Sequence, residues 1–243
     1  MNSGGGVVAV CLVAILFGAC AGEDAAPEPA RLGRPLVRDH VTRAETIASA
    51  RAYLDHEWRA EERHAFHGDA PDGIRIDTPD LGFGARGWWR AGAVNRGMPY
   101  KWGGFDTPGS FDQGLGRGQF AGDVYTSAKR RQLDTAVSGH AVGIDCSGFI
   151  SRCWKLPRSY STRELPSLCR ELDGYEDLHT GDILNIHNQH VLLFEGFTDS
   201  SKSHLVAYEA GSPPSWKVLK NTIACDYLKS LDYKPYRYRN IRD

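Results

Sequence analysis

Residues 143–154 read GIDCSGFISRCW and predict a helix with a cysteine in its first turn. The apolar residues from Phe149 onwards recur at i, i+1, i+4 and i+5, which is the spacing of one buried helix face. Amides at the start of a helix favour a thiolate over a thiol, so Cys146 is a candidate nucleophile. A buried structural thiol, or one half of a disulfide in an exported protein, is the alternative interpretation.

Three strands are predicted downstream of this helix. Residues 178–186, LHTGDILNI, read as a turn that leads into the first strand, and residues 187–189 form the next bend. A mostly buried strand follows over 190–196, and a third strand over 204–210 comes after a polar hairpin. The short connections between the strands predict an antiparallel meander.

Antiparallel pairing brings a base and a carboxylate together in this meander. His190 begins one strand and Glu209 ends its neighbour, so both side chains lie at one edge of the sheet. If the helix packs across that edge, Cys146, His190 and Glu209 form a nucleophile, a general base and a group that orients the imidazole. His187 is the alternative base, although it lies in the bend before the strand.

The segment before the cysteine helix contains a compact motif and a long insert. PYKWGG, residues 99–104, follows a short helical run that is predicted over 88–95. Residues 105–142 are rich in glycine and poor in apolar residues, so we expect a loop outside the core that covers or narrows the active site. On this interpretation, shortening the insert changes substrate preference more than stability.

The first 20 residues have the pattern of a secretory signal. They carry no charged side chain, and their apolar run, residues 7–17, is too short to span a bilayer. FGAC, residues 17–20, resembles a lipobox, in which Cys20 becomes the lipidated first residue of a membrane-anchored protein. ACA, residues 19–21, also fits an ordinary signal peptidase, which would leave the chain secreted or periplasmic.

A tether and a helical extension are predicted between the signal and the main domain. Residues 21–38 are rich in Ala, Pro and charge, which is typical of a flexible tether. Residues 39–85 begin with a Thr-x-x-Glu capping box at Thr42, and an apolar stripe predicts a helix to about residue 66. His64 and His67 fit exposed helix histidines better than metal ligands, because no motif spacing completes a site. We expect neither a metal nor a cofactor.

Composition excludes several classes of protein. Apolar residues make up 41% and charged residues 24%, which is ordinary for a globular domain. Lys and Arg number 29 against 30 for Asp and Glu, so no basic field exists to bind nucleic acid. Besides the nucleophile, three cysteines follow the signal. For Cys153, Cys169 and Cys225 in an oxidising compartment we expect one disulfide and one buried thiol, with the pairing open.

These motifs together resemble the NlpC-type cell-wall cysteine peptidases of the papain-like superfamily. The resemblance rests on PYKWGG, DCSGF, GDI and NQHV, followed by a strand that ends in YEA, and covers about residues 88–238. It implies a papain-like α+β fold, with the nucleophile helix packed on a central antiparallel sheet, in a domain over 86–243 that has its insert at about 105–142. It also implies cleavage of amide bonds in peptidoglycan stem peptides, commonly between D-glutamate and a diamino acid.

By position, the resemblance assigns Cys146 as nucleophile and His190 as general base, and Glu209 stands where the family has a third polar residue, often His. Four residues of the first two motifs are the candidates for substrate binding: Tyr100, Trp102, Asp145 and Ser147. The insert of about 40 residues is longer than in many relatives, so we expect it to remodel the cleft. An amidase or acyltransferase on another amide or ester would use the same triad. An inactive wall-binding module is the non-enzyme alternative.

Overall fold

A six-stranded antiparallel sheet with helices packed against it gives the chain an α+β fold. The computed structural model describes residues 39–211 and 214–243, with the backbone alone at 84–86. The predicted signal, Cys20 and the tether over 21–38 lie outside the described residues. No helix within the described ranges is long and apolar enough to cross a bilayer.

The main sheet has the strand order β12-β11-β10-β9-β13-β8. Its strands are β8 (Cys169–Glu171), β9 (Ile183–Ile186), β10 (His190–Phe197), β11 (His204–Ala210), β12 (Val218–Ala224) and β13 (Lys234–Tyr238). Short strands pair around it: β1 (Val41–Thr42) with β14 (Ile241–Arg242), β2 (Glu57–Arg59) with β5 (Val94–Arg96), β3 (His67–Asp69) with β4 (Arg75–Asp77), and β6 (Phe120–Ala121) with β7 (Ala141–Val142). The predicted meander is confirmed as β9, β10 and β11.

The helices are short and are separated by 3₁₀ turns. The α-helices are α1 (Arg43–Leu54), α2 (Pro108–Gly116), α3 (Ser127–Gln132), α4 (Cys146–Cys153) and α5 (Cys225–Ser230). The 3₁₀ turns cover Glu62–His64, Leu81–Arg86, Leu133–Ala136, Leu165–Leu168 and Tyr175–Asp177. The predicted helix with a cysteine in its first turn is confirmed as α4.

Consecutive apolar residues of β10 point to opposite faces of the sheet, and each face is covered by its own core. Val191 and Leu193 belong to the core on the side of α4, together with Phe149 and Ile150. Leu192 and Phe194 belong to a second core that includes Leu228 of α5. Because successive side chains of a strand point to opposite faces and both faces are covered here, residues 191–194 are all apolar.

The predicted helical extension over 39–85 is only partly correct. The capping box is present, since Thr42 Oγ1 accepts a hydrogen bond from the Glu45 amide, but α1 ends at Leu54. Beyond it, β2 pairs with β5, so the helices predicted to residue 66 and over 88–95 are wrong. Burial of Trp58 among aromatic rings, with its indole donating to the Gly97 carbonyl, overrides the local helical pattern.

Neither His64 nor His67 lies on the expected helix, although His67 is exposed as expected. His64 is buried, and its Nδ1 accepts a hydrogen bond from the Glu61 amide. His67 lies in β3, where its Nε2 is 2.8 Å from Oδ1 of Asp80. Both rings therefore serve local structure in the described part of the chain.

The expectation that the insert lies outside the core is wrong for much of its length. Phe111 and Leu115 of α2 and Ala121 of β6 are buried in the main core. A methyl group on Gly114 would lie 2.4 Å from Cγ1 of Val142, so this glycine permits close packing. The glycine content of the insert led to the wrong expectation of a loop. Glycine serves both in flexible backbone and where two segments pack closely, and its frequency does not distinguish the two cases.

No disulfide joins the cysteines of the described residues, and the expected one is absent. Cys153 and Cys169 lie in the core on the α4 side of the sheet, while Cys225 lies in the core on the opposite side. Burial raises the pKa of the Cys169 thiol to about 12, and that of Cys153 still further. These are three inert thiols.

Asp182 of the GDI motif connects distant parts of the chain. Its carboxylate is fully buried and lies 2.7 Å from Nη2 of Arg237 in β13. Nη1 of Arg43, in the first turn of α1, is 3.4 Å away, and the His179 amide donates to the same carboxylate. The two ends of the domain therefore meet at one buried anion.

Candidate active site

The start of α4 and the start of β10 meet at a cleft of about 480 Å³. Within the described residues, the cleft is lined by the predicted nucleophile, the predicted base and all four predicted substrate-binding residues: Tyr100, Trp102, Asp145, Cys146, Ser147 and His190. Glu209 lies behind the base at the end of β11. The alternative base, His187, is exposed and does not line the cleft.

His190 links Cys146 to Glu209. Its Nε2 is 2.9 Å from Oε2 of Glu209, whose side chain is buried. Cys146 lines the same cleft and lies close enough to the imidazole to raise its pKa. With Nε2 directed to the carboxylate, Nδ1 is the ring nitrogen that remains for the thiol. Antiparallel pairing of β10 with β11 brings His190 and Glu209 together, and packing of α4 on β10 adds Cys146.

The charge state of His190 follows from these contacts. Burial lowers the pKa of the imidazole, but the charge of Cys146 and hydrogen bonds to Cys146 and Glu209 outweigh it. The resulting pKa is raised to about 10 from the ordinary 6.5. The ring therefore keeps its proton at neutral pH and can donate it to a neighbouring group.

The Asp145 carboxylate caps the helix that carries Cys146. Its Oδ1 accepts from the Gly148 amide at 2.5 Å and from Oγ of Ser147 at 3.1 Å. Burial raises the pKa of Asp145, and these hydrogen bonds oppose the rise. Asp145 and Ser147 line the cleft, but their polar groups are directed at each other. The pair holds the nucleophile's helix in place.

The amide of Cys146 is suited to hold an oxyanion. Cys146 is the first residue of α4, and the first amides of a helix have no acceptor within it. The macrodipole adds partial positive charge at the same point. A carbonyl oxygen attacked by Cys146 would therefore meet a donor beside the nucleophile.

Close backbone packing holds α4 against the PYKWGG motif. A methyl group on Gly148 would lie 2.1 Å from the Gly104 carbonyl oxygen, so only glycine fits there. The Asp145 amide donates to that same oxygen. These contacts explain why both motifs contain glycine and why they lie together despite the insert between them.

Tyr100 and Trp102 form one wall of the cleft. The Tyr100 ring packs on Trp216 and covers Gly211, whose φ of +92° and lack of Cβ allow this approach. Burial and the negative charges of Cys146 and Asp145 raise the pKa of Tyr100 well above 10, so its hydroxyl remains a donor. The Trp102 indole donates to the Leu133 carbonyl and so connects the insert to the cleft.

The second part of the insert faces the cleft, as expected from the sequence. Leu133, Asp134 and Val137 line it, as do Tyr125 and Arg130. The expectation that the insert narrows the site therefore agrees with the position of residues 125–137, whereas α2 belongs to the core.

Two arginines in the cleft wall were not identified from the sequence. Arg130 lies on α3, 5.9 Å from the Tyr125 ring centroid, and Arg163 is exposed in the loop after α4. Within the described residues neither forms an ion pair with a carboxylate, although Asp134 lines the same cleft. No local pattern marks these arginines, because only tertiary packing brings their two segments together. Their guanidinium groups are suited to bind carboxylates.

Comparisons with protein-family models, with curated proteins and with solved structures found no match to this chain.

Proposed function

We propose that the protein is an exported cysteine hydrolase with a papain-like fold. It cleaves amide bonds in peptidoglycan stem peptides, between D-glutamate and a diamino acid. The observation that carries the proposal is the position of His190, which shares the cleft with Cys146 and is hydrogen-bonded to Glu209 on its other side. The motif resemblance supplies the substrate class.

The proposed reaction uses groups whose geometry is described above. The Cys146 thiolate attacks the scissile carbonyl, and its own amide holds the oxyanion. His190 gives its proton to the leaving amine, which departs and leaves a thioester on the sulfur. The imidazole then takes a proton from water, which attacks the thioester and releases the acid and the thiolate, so that the starting state is restored. Glu209 keeps the ring oriented throughout.

The direct test is digestion of purified muropeptides, followed by mass spectrometry of the products. The proposal expects two fragments whose masses sum to the substrate plus one water, with no products from Cys146→Ala. Transfer of the acyl group to an added amine or alcohol, without the water product, would instead favour an acyltransferase. Tight binding of muropeptides without cleavage would favour the wall-binding module.

Replacing Glu209 by Gln should shift the pH profile downward. Glu209 is one of the groups that raise the His190 pKa, so its neutralisation lowers that pKa. The alkaline limb of kcat, where the imidazolium loses its proton, then moves to lower pH. Loss of a hydrogen bond to a charged group lowers kcat about 10- to 100-fold at neutral pH.

The matched control for this variant is Glu195→Gln. Glu195 is another partly buried carboxylate of the same sheet, but it pairs with Arg51 and Lys220 away from the cleft. Its neutralisation should leave the alkaline limb in place. If the alkaline limb of the kcat profile lay at the same pH in Glu209→Gln as in the unmodified protein, the orienting role of Glu209 would be contradicted.

The two cleft arginines favour a negatively charged substrate. Peptidoglycan stem peptides carry carboxylates and meet this requirement. We expect Arg130→Gln and Arg163→Gln each to raise KM about 10- to 100-fold, the worth of a charge-assisted hydrogen bond, with little change in kcat. Arg131→Gln is the control, since Arg131 neighbours Arg130 but lies outside the cleft lining. A stem peptide with amidated carboxylates should bind all variants equally. Persistence of the KM differences with that peptide would contradict carboxylate recognition.

Membrane anchoring through Cys20 is part of the proposal. A Cys20→Ala variant should move from the membrane fraction to the soluble fraction outside the cytoplasm, because the lipid attachment site is lost. Fractionation with immunoblotting measures this change. If the unmodified protein is itself soluble outside the membrane, cleavage at the ACA site is preferred instead.

A further inference from the structure

The buried carboxylate of Glu209 is held from two sides. Oε2 faces Nε2 of His190 at 2.9 Å, and Oε1 accepts a hydrogen bond from Nδ2 of Asn221 at 2.6 Å. Each oxygen of the carboxylate thus lies within hydrogen-bond distance of a different side chain. An ionised carboxylate only accepts hydrogen bonds, so the Asn221 amide must be the donor.

Strand register explains why Asn221 reaches this position. Asn221 pairs with Ala207 across β11 and β12, while Glu209 pairs with Leu219. Asn221 is therefore the diagonal neighbour of Glu209, a separation that long side chains bridge. β12 is an edge strand of the main sheet, and Asn221 is half-buried in it.

A second contact matters more for the orientation of Glu209 than it would for a shorter acidic side chain such as aspartate. A glutamate has three side-chain rotors and is among the residues that lose most rotamer entropy on being fixed. The hydrogen bond at Oε2 holds one oxygen of the carboxylate, and the Asn221 amide holds the other. The second contact restricts rotation of the carboxylate and keeps its negative charge directed at the imidazole.

We propose that Asn221 is a positioning residue that fixes the Glu209 carboxylate against His190, so that the site works as a Cys-His-Glu-Asn unit. This inference rests on the proposed roles of Cys146 and His190, but not on any particular substrate. Asn221 acts only through Glu209, so its removal should matter only while Glu209 is present.

The test measures the alkylation rate of Cys146 by iodoacetamide, which needs no substrate. Peptide mapping by mass spectrometry separates Cys146 from the other cysteines, of which Cys153, Cys169 and Cys225 are buried. We expect Asn221→Leu to slow alkylation at pH 7 about 2- to 10-fold, the worth of one hydrogen bond. Asn221→Gln, which keeps an amide donor, should restore part of the rate.

A double-mutant comparison separates positioning from a structural effect. In a Glu209→Ala background, Asn221→Leu should cause no further loss, because no carboxylate remains to be positioned. Thr222→Val, at the exposed neighbouring position of β12, controls for disturbance of the strand and should keep the normal rate. Melting temperatures verify that each variant is folded.

Two results would overturn this inference: an unchanged rate in Asn221→Leu, or an equal loss in the presence and absence of Glu209. The first shows that the hydrogen bond is dispensable, and the second that Asn221 acts on the strand. Failure of the protein to cleave muropeptides, with Asn221-dependent alkylation intact, would instead overturn the proposed substrate and leave Asn221 in its role.

Discussion

Replacing Cys146 by Ala, or His190 by Ala, should lower kcat for wall peptides about 10⁴- to 10⁶-fold. The thiol supplies the bond to the substrate and the imidazole moves the proton, so neither function has a substitute in the site. Because the two residues act as one unit, the double variant should be no slower than either single variant. Steady-state assays on a purified muropeptide measure all three.

His187→Ala is the matched control for this experiment. His187 lies three residues before His190 but is exposed and outside the cleft lining, so kcat should be unchanged. Considerable residual activity in His190→Ala, lost only on removing His187 as well, would show that the bend histidine is the base. Equal activity of Cys146→Ala and the unmodified protein would remove the thiol from the mechanism.

Replacing Asp182 by Ala should lower the free energy of unfolding by about 3–5 kcal/mol. This is the cost of removing one partner of a buried ion pair and leaving the other charge in place. The substitution leaves Arg237, 14% exposed, without its counter-ion, and also removes the acceptor for the His179 amide. Urea unfolding monitored by tryptophan fluorescence measures the loss.

The control for Asp182 is Asp243→Ala. Asp243 also pairs with Arg43, at 2.6 Å, but its side chain is 92% exposed. An exposed ion pair contributes only about 0–1 kcal/mol, so this variant should be almost as stable as the original. A similar small loss in both variants would show that Asp182 does not anchor the ends of the domain.

The part of the site that could be predicted from sequence depends on local patterns. Strand alternation with short connections placed His190 and Glu209 at one edge, and the structure has them 2.9 Å apart. The helical spacing after Gly148 placed Cys146 in the first turn of α4. The helical spacing of apolar residues and the pairing of adjacent strands suffice to place these residues, because each lies within a single predicted helix or strand.

The parts that were missed depend on packing between distant segments. Trp58 ends the expected helix because its ring is more stable among other aromatic rings than on a helix face. Phe111 of the insert is buried in the main core, although few apolar neighbours mark it in the sequence. Asn221 belongs to the site through a diagonal pair across β11 and β12, and no sequence spacing reports such a pair.

The most direct test of the account is the detection of an acyl-enzyme on Cys146. Protein mixed briefly with a purified muropeptide is quenched in acid, where thioesters persist, and its intact mass is measured. The account predicts a transient added mass equal to that of the released acid product minus one water, located on the peptide that contains Cys146 and absent from Cys146→Ala. Release of the same products with no adduct at any time, or their formation by Cys146→Ala, would contradict it.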